Sequence, residues 1–144
     1  MNAYERLLKY VVIRTPSNEE SETTPSSQCQ FDLANVLKKE MEELGICDVT
    51  LTDTCFLYGK IPATPGCENA PAIGFIAHMD TSPEVSGADV KPQIIRQYDG
   101  KDIVLNKDKN IVLSVEEFPE LVQYTGQTLI TTDGTTLLGA DDKA

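Results

Sequence analysis

The residues that could perform chemistry lie in two short segments. The only histidine of the chain, His78, lies in GFIAHMD, and two adjacent acids, Asp141 and Asp142, lie near the end of TTDGTTLLGADDKA. Imidazole nitrogens and carboxylate oxygens both bind divalent metal ions, and one carboxylate can bridge two ions. Each segment follows an apolar run typical of a strand that ends at a ligand-binding edge of a sheet. The two segments are therefore candidates for one metal site.

Asp80 follows His78 by two residues. In an extended strand, residues two apart point to the same side, so these two side chains are predicted to leave the sheet together. A carboxylate that accepts the N–H of one ring nitrogen fixes the tautomer and makes the other nitrogen a better metal ligand. Alternatively, His78 only ends a strand and hydrogen-bonds a backbone carbonyl, and these three residues alone leave both interpretations open.

Asp141 and Asp142 also have two interpretations. Acids favour the positive end of a helix, so both residues could begin one. As a metal site the set is short of ligands, because a catalytic zinc usually takes three protein ligands and a pair of zincs takes at least about five groups. His78 and Asp141 supply two, and the 144 residues contain no second histidine. Either residues beyond Ala144 complete the site, or it is not a catalytic metal site.

The elements that would position these residues follow from apolar spacing. Apolar residues three and four apart predict a first helix over residues 3–12. A second helix is predicted from Thr24 as N-cap and Pro25 as its first residue, with Gly45 ending it. Residues 48–63 are predicted to form a β-hairpin.

The second half of the chain completes an α/β prediction. The apolar run at 72–77 predicts a buried strand with both faces covered. Residues 81–127 are predicted to form an extended excursion or hairpin insert with short β-type runs. A tight hairpin is predicted around Asp133 and Gly134. This order predicts an α/β fold, a mixed β-sheet flanked by helices.

Composition excludes several classes of partner. The formal net charge is -11, so we expect no nucleic acid and no anionic membrane as partner. The N-terminal segment lacks the unbroken apolar core of a signal peptide, which predicts a cytoplasmic location. The four cysteines form no close Cys-x-x-Cys pair, and we expect them to be reduced thiols.

Two long stretches carry a resemblance to a known family. GFIAHMDTSPEVSGADVKP and FPELVQYTGQTLITTDGTTLLGADDKA resemble the M20 metallopeptidases, and specifically their tripeptide aminopeptidase branch, peptidase T. The resemblance runs along nearly the whole chain from ERLLKYVVIRTPS onward. It implies an α/β catalytic domain with two zinc ions, interrupted by a smaller lid domain, and a tripeptide substrate.

The resemblance also implies roles for particular residues. His78 matches a zinc ligand, Asp80 matches the catalytic-site carboxylate that orients this histidine, and Asp141 matches the carboxylate that bridges the two zinc ions. Asp142 matches the acidic neighbour of the bridge and receives no catalytic role. The general base, the remaining metal ligands and the lid all follow the matched GADDKA in the family.

The chain thus resembles the amino-terminal part, residues 1–144, of an M20 catalytic domain without its lid domain. We expect it to be inactive alone, to bind zinc weakly and to self-associate, because missing elements would leave apolar strand faces uncovered. Two other hypotheses stay open: a non-catalytic binding or scaffold module of the same fold, and an acidic interaction domain unrelated to metal.

Overall fold

A computed structural model describes residues 1–143 of the chain, and Ala144, the last residue of the GADDKA motif, lies outside the described residues. The elements, in chain order, are helices α1 (Ala3–Tyr10) and α2 (Gln30–Glu43), strands β1 (Cys47–Leu51), β2 (Leu57–Lys60), β3 (Gln93–Ile95), β4 (Ile103–Asn106) and β5 (Ile111–Leu113), a 3-10 helix (Pro119–Tyr124), strand β6 (Leu129–Thr131) and helix α3 (Ala140–Lys143). Short helices and short strands together confirm the α/β class.

The predicted single mixed sheet is wrong for residues 1–143. The strands pair instead as three separate two-stranded sheets, β1 with β2, β3 with β6 and β4 with β5, and every pair is antiparallel. The parallel pairing in this part of the chain is an isolated bridge between Pro16 and Thr81. The physical reason is that the predicted central strand, which a mixed sheet would need between these pairs, does not form.

That predicted strand, residues 72–77, is an irregular and exposed segment. Phe75 is 95% exposed and Ile76 is 101% exposed, so these apolar side chains are open to solvent and not part of the core. A strand needs a neighbour for its backbone N–H and C=O groups. Among residues 1–143 no strand pairs with this segment, and the prediction of a buried strand is therefore wrong here.

Helix α1 confirms the first predicted helix and begins at a polar cap. The backbone N–H of Asn2 donates to Glu5 Oε2 over 2.7 Å, which satisfies a group that the helix itself leaves free. On its other face, the side chains of Arg6 and Tyr10 both donate to Glu40 Oε2 of α2. The hydrogen bond from Tyr10, and then the charge of Arg6, hold the pKa of Glu40 below its ordinary value. This cluster joins the two long helices.

Helix α2 begins at Gln30, so the predicted start at Thr24 and Pro25 is wrong. The residues before it are held as a loop by side chains, since Ser26 Oγ accepts the Asn18 N–H over 3.1 Å. The helix ends as predicted, because Gly45 takes a positive φ of 78° and donates its N–H to Glu42.

Most of the buried apolar residues form two groups along the chain, one at the end of α1 and in α2, and one within residues 90–103. Val11 and Leu33 are each 1% exposed, and Ala34 is fully buried. Helix α2 packs against the β1 and β2 hairpin, which confirms the predicted hairpin over 48–63. The three β-type runs predicted inside the 81–127 segment are found as β3, β4 and β5.

The predicted hairpin around Asp133 and Gly134 is wrong. Strand β6 pairs with β3, and in this pair Ile130 lies opposite Ile94, which is 36 residues earlier in the sequence. No strand follows the turn within the described residues. The turn itself exists, with Gly134 at a positive φ of 74°. Side chains shape it: Gly134 N–H donates to Thr132 Oγ1, and Thr135 donates to Asp133 Oδ1, which lowers the pKa of Asp133.

In residues 1–143 no helix has the length and apolarity needed to cross a bilayer.

Candidate metal centre

His78 and Asp80 contact each other directly. His78 Nδ1 lies 3.1 Å from Asp80 Oδ1 and 3.0 Å from the Asp80 backbone oxygen. Both neighbours are acceptors, so they favour the tautomer with its proton on Nδ1 and a free lone pair on Nε2. The sequence predicted the contact from strand alternation, whereas the structure achieves it in an irregular segment. The result is an imidazole whose Nε2 is available to a metal ion.

A carboxylate of α3 faces that nitrogen. Asp142 Oδ1 lies 3.9 Å from His78 Nε2, across a sequence separation of 64 residues. The Asp142 side chain is 19% exposed and the His78 side chain is 62% exposed. The structure therefore brings together the two segments that the sequence singled out, at the edge of the fold and open to solvent.

Asp141, the predicted zinc bridge, is exposed on α3. Neighbouring residues of a helix point about 100° apart, so Asp141 and Asp142 cannot both face His78 from a single turn. Asp142, which received no catalytic role, is the acid within 4 Å of the histidine. The assignments of Asp141, His78 and Asp80 to a metal site remain predictions. Both acids lie in the first turn of α3, as the helix-start interpretation expected, and this position does not test a metal role for Asp141.

The backbone around Thr81 sets the distance between the two segments. The Thr81 N–H donates to the Thr15 carbonyl over 2.8 Å, and the Thr81 carbonyl accepts the Ser17 N–H over 2.9 Å. Thr81 is 4% exposed, and Gly139, immediately before α3, lies close to its methyl group. Thus the residue that follows Asp80 contacts both the loop after α1 and the turn that begins α3.

Lys143 anchors the other end of α3. Its side chain is buried, and its Nζ donates to the backbone oxygens of Tyr10, over 3.2 Å, and of Ile13. Burial lowers the pKa of Lys143, against the opposing effect of the nearby Asp142 carboxylate. Helix α3 therefore lies against Thr81 at its beginning and is held by the region around the end of α1 at Lys143.

A groove of about 620 Å³ leads to His78. Its walls are the aromatic side chains of β2 and its preceding turn, the loop at residues 23–26, and the exposed segment 75–80. Phe56 and Tyr58 stack with ring centroids 6.3 Å apart. The groove combines apolar walls with the imidazole at one end. A separate cavity of about 660 Å³ is lined by residues 14–20, Ser27 and residues 83–88, and it contains none of the predicted site residues.

The donor types suit zinc, but the set is incomplete. Two ligands of one tetrahedral zinc lie about 3.3 Å apart, given metal–ligand bonds of roughly 2 Å. The 3.9 Å between His78 Nε2 and Asp142 Oδ1 is close to that distance. Within residues 1–143 no group of three or more His, Cys, Asp or Glu side chains is arranged to hold a metal ion. The described residues therefore fit part of a zinc site, as ligand counting predicted.

Sequence patterns missed the residues that position α3. Gly139 and Lys143 are adjacent to the acids, but periodicity does not indicate that the lysine is buried or that the glycine contacts Thr81.

The four cysteines are free thiols, as predicted. Cys55 is the buried one, and burial raises its pKa.

Relatives match this chain along nearly its whole length. It is 55% identical to peptidase T of Alkaliphilus oremlandii in an alignment of 144 residues, which covers 99% of this chain and 35% of the relative. It is 58% identical to peptidase T of Desulfitobacterium hafniense over 140 residues, 97% of this chain and 34% of the relative. It is 55% identical to peptidase T of Clostridium novyi over 139 residues, 96% of this chain and 34% of the relative. No family model matches.

The chain is similar to peptidase T along nearly its whole length. The chain spans about a third of the length of the curated peptidase T relatives that it matches. Because the match to peptidase T includes nearly every residue of this chain, it includes both segments of the candidate site. The resemblance predicted from the two quoted stretches is thereby confirmed.

Proposed function

We propose that this chain supplies part of the active site of a dizinc aminopeptidase that releases the amino-terminal residue from tripeptides. The observation that carries the proposal is the arrangement at His78, whose Nδ1 contacts Asp80 while Nε2 faces an acid of α3. That arrangement suits a metal ligand with an orienting carboxylate. Identity of 54–58% to peptidase T supports the same class of activity.

Each residue has a definite task in this proposal. His78 would be a zinc ligand through Nε2, and Asp80 would hold the Nδ1 proton and the orientation of the ring. Asp141 would be the shared carboxylate ligand of the zinc pair, with Asp142 beside it. When bound, the zinc pair polarises the scissile carbonyl and lowers the pKa of a bound water. The general base, the remaining ligands and the lid domain correspond in this proposal to parts of the peptidase T sequence that follow GADDKA.

The groove gives the substrate an approach to His78. Its walls combine aromatic side chains with hydroxyl and amide groups, which suit a short peptide, and residues 78–80 line the same groove, so a bound peptide would lie beside the metal site. The acidic balance of the chain, -11, agrees with a small peptide rather than a polyanion as substrate. A cytoplasmic location is part of the proposal, as are two zinc ions for each complete site.

A zinc titration of the 144-residue chain tests the metal part of the proposal. We expect weak binding by calorimetry, and we expect His78→Ala to weaken it by at least about tenfold, since the variant removes a ligand. Lys107→Met, an exposed change in the β4 and β5 hairpin, is the matched control and should leave the affinity unchanged. Equal affinity in the wild type and His78→Ala would count against the metal site.

An activity assay of the same 144-residue chain bears on the choice between the enzyme hypothesis and the hypothesis of a non-catalytic module. We expect no tripeptide cleavage by the chain alone, because the described residues contain too few ligands for a catalytic zinc. Cleavage that scales with the concentration of the chain and stops with chelator would contradict this expectation. Tight stoichiometric zinc binding that depends on His78 would exclude the third hypothesis, an acidic domain unrelated to metal.

A further inference from the structure

Lys143 is the one charged side chain among the buried residues of the described chain, with 8% exposure. A buried ammonium group is costly unless hydrogen bonds replace its water. Lys143 has two such bonds, from Nζ to the backbone oxygens of Tyr10 and Ile13. These partners lie 133 and 130 residues away in the sequence, so the lysine connects opposite ends of the described chain.

The acceptors lie where α1 ends. The last carbonyls of a helix have no partner within the helix, and the helix dipole makes this end favourable for a cation. Tyr10 is the last residue of α1, and its carbonyl also accepts the Ile13 N–H over 3.0 Å. Lys143 therefore occupies the position that a basic residue of α1 itself would normally take.

Helix α3 depends on this contact for its orientation. Its described part, Ala140–Lys143, is one turn, and one turn of helix is stable in water only through contacts with the rest of the protein. At its beginning, Gly139 lies against Thr81, and at its end Lys143 is bound to the end of α1. Asp142 lies next to Lys143, with its Oδ1 3.9 Å from His78 Nε2.

We infer that Lys143 is a positioning residue, which through its bonds to the end of α1 fixes the Asp142 carboxylate of α3 opposite His78. The functional importance of this role rests on the proposed function, whereas the geometric role does not require a metal. The hydrogen bonds of the lysine go to backbone oxygens of Tyr10 and Ile13, so it acts on the separation of the two segments through α1 and not through His78.

The geometric role can be tested without metal, because His78 is the only histidine and gives a single ring Cε1–Hε1 signal in a carbon–proton NMR spectrum. Lys143→Met retains most of the unbranched apolar stem and removes the charged donor group. We expect it to shift the His78 ring signal and the Asp142 amide signal, and we expect Lys143→Arg to restore both toward the wild type. Lys107→Met should move neither signal.

A folded Lys143→Met protein with wild-type His78 and Asp142 signals would overturn the inference. Circular dichroism establishes that the variant is folded. If Lys143→Met does not fold, Lys143→Gln is used instead and is judged by the same criterion. The uncharged side chain of glutamine is shorter than that of lysine. The expected shift must then appear in Lys143→Gln and be reduced in Lys143→Arg.

Zinc titration separates failure of this inference from failure of the proposed function. We expect Lys143→Met to bind zinc about tenfold more weakly than the wild type, as is typical when a residue supporting a metal ligand is lost. Equal affinities in the two proteins would count against the positioning role. If the wild type binds no zinc, the proposed function fails, and the NMR comparison alone decides whether Lys143 positions α3.

Discussion

Replacement of Gly139 by alanine tests the contact between α3 and the His78 segment. Gly139 has a φ of +67°, a conformation that costs an L-residue about 1–2 kcal/mol. A Cβ there would lie 3.2 Å from Thr81 Cγ2 and 3.4 Å from Asp142 Oδ2. Thr81 is 4% exposed and cannot move freely, and overpacking of this kind costs a further 1–3 kcal/mol, roughly. We therefore expect Gly139→Ala to lower the free energy of unfolding by about 2–5 kcal/mol.

Gly126→Ala is the matched control for this prediction. Gly126 has a similar φ of +83°, but a Cβ there would meet nothing within 4 Å. Only the conformational part applies to it, so we expect a loss of about 1–2 kcal/mol. The difference between the two variants, on the order of 1 kcal/mol or more, measures the contact alone.

Urea denaturation followed by circular dichroism provides the two free energies. The His78 ring signal in the NMR spectrum provides a second result, because the new Cβ would push on Asp142 in one variant only. We expect the signal to shift in Gly139→Ala and to stay in place in Gly126→Ala. Equal losses of stability in the two variants, with an unchanged His78 signal, would refute the argument that Gly139 must be small for α3 to approach Thr81.

Three further predictions concern the core, the helix pair and the exposed segment. Leu33→Ala should lower the free energy of unfolding by about 2–5 kcal/mol in urea denaturation, because Leu33 is 1% exposed; a loss below about 1 kcal/mol would contradict the assignment of the core. A carboxyl group with a lowered pKa contributes stability above its unfolded pKa, and loses it as the pH falls through the folded value. Urea denaturation between about pH 7 and pH 3 should therefore show less acid destabilisation in Glu40→Gln than in the wild type, and identical profiles would contradict this. Ile76→Ser should reduce self-association in size-exclusion chromatography without loss of stability, because Ile76 is fully exposed, whereas a large loss of stability would show that this segment is packed.

The helices were the most predictable elements of the fold. The stripe of apolar residues in α1 and the glycine at the end of α2 both act locally, so the sequence carries their signals. The start of α2 was mispredicted because Thr24 and Pro25 satisfy the usual N-terminal pattern, while Ser26 and Gln30 hydrogen-bond to the loop at residues 16–18 instead. That competition involves residues distant in the sequence.

The strands show where local patterns fail. The apolar run at 72–77 has the composition of a buried strand, yet a strand also requires a neighbour, and residues 1–143 supply none. The turn at Asp133 and Gly134 forms, but its first strand pairs with β3 instead of folding back on the following residues. Pairing depends on the whole chain, so neither outcome could be read from these segments alone.

The candidate site was partly predictable, because one of its contacts is local and the others depend on the whole chain. The contact between His78 and Asp80 is local and was predicted from their spacing. The approach of α3 was inferred from residue type, but the choice of Asp142 as the nearer acid follows from helix geometry and from the anchoring of Lys143. A buried lysine has no signature in a sequence, and its role required the structure.

The central claim is that the His78 segment and α3 form part of a zinc peptidase site. Its most direct test is a chimera in which this chain replaces the matching 144 residues of the Alkaliphilus oremlandii peptidase T. We predict a chimera that cleaves a tripeptide at its amino-terminal bond, stops with chelator, and loses activity by at least about a hundredfold in His78→Ala and Asp141→Asn. A folded chimera without activity, or one in which both variants keep the full rate, would contradict the claim.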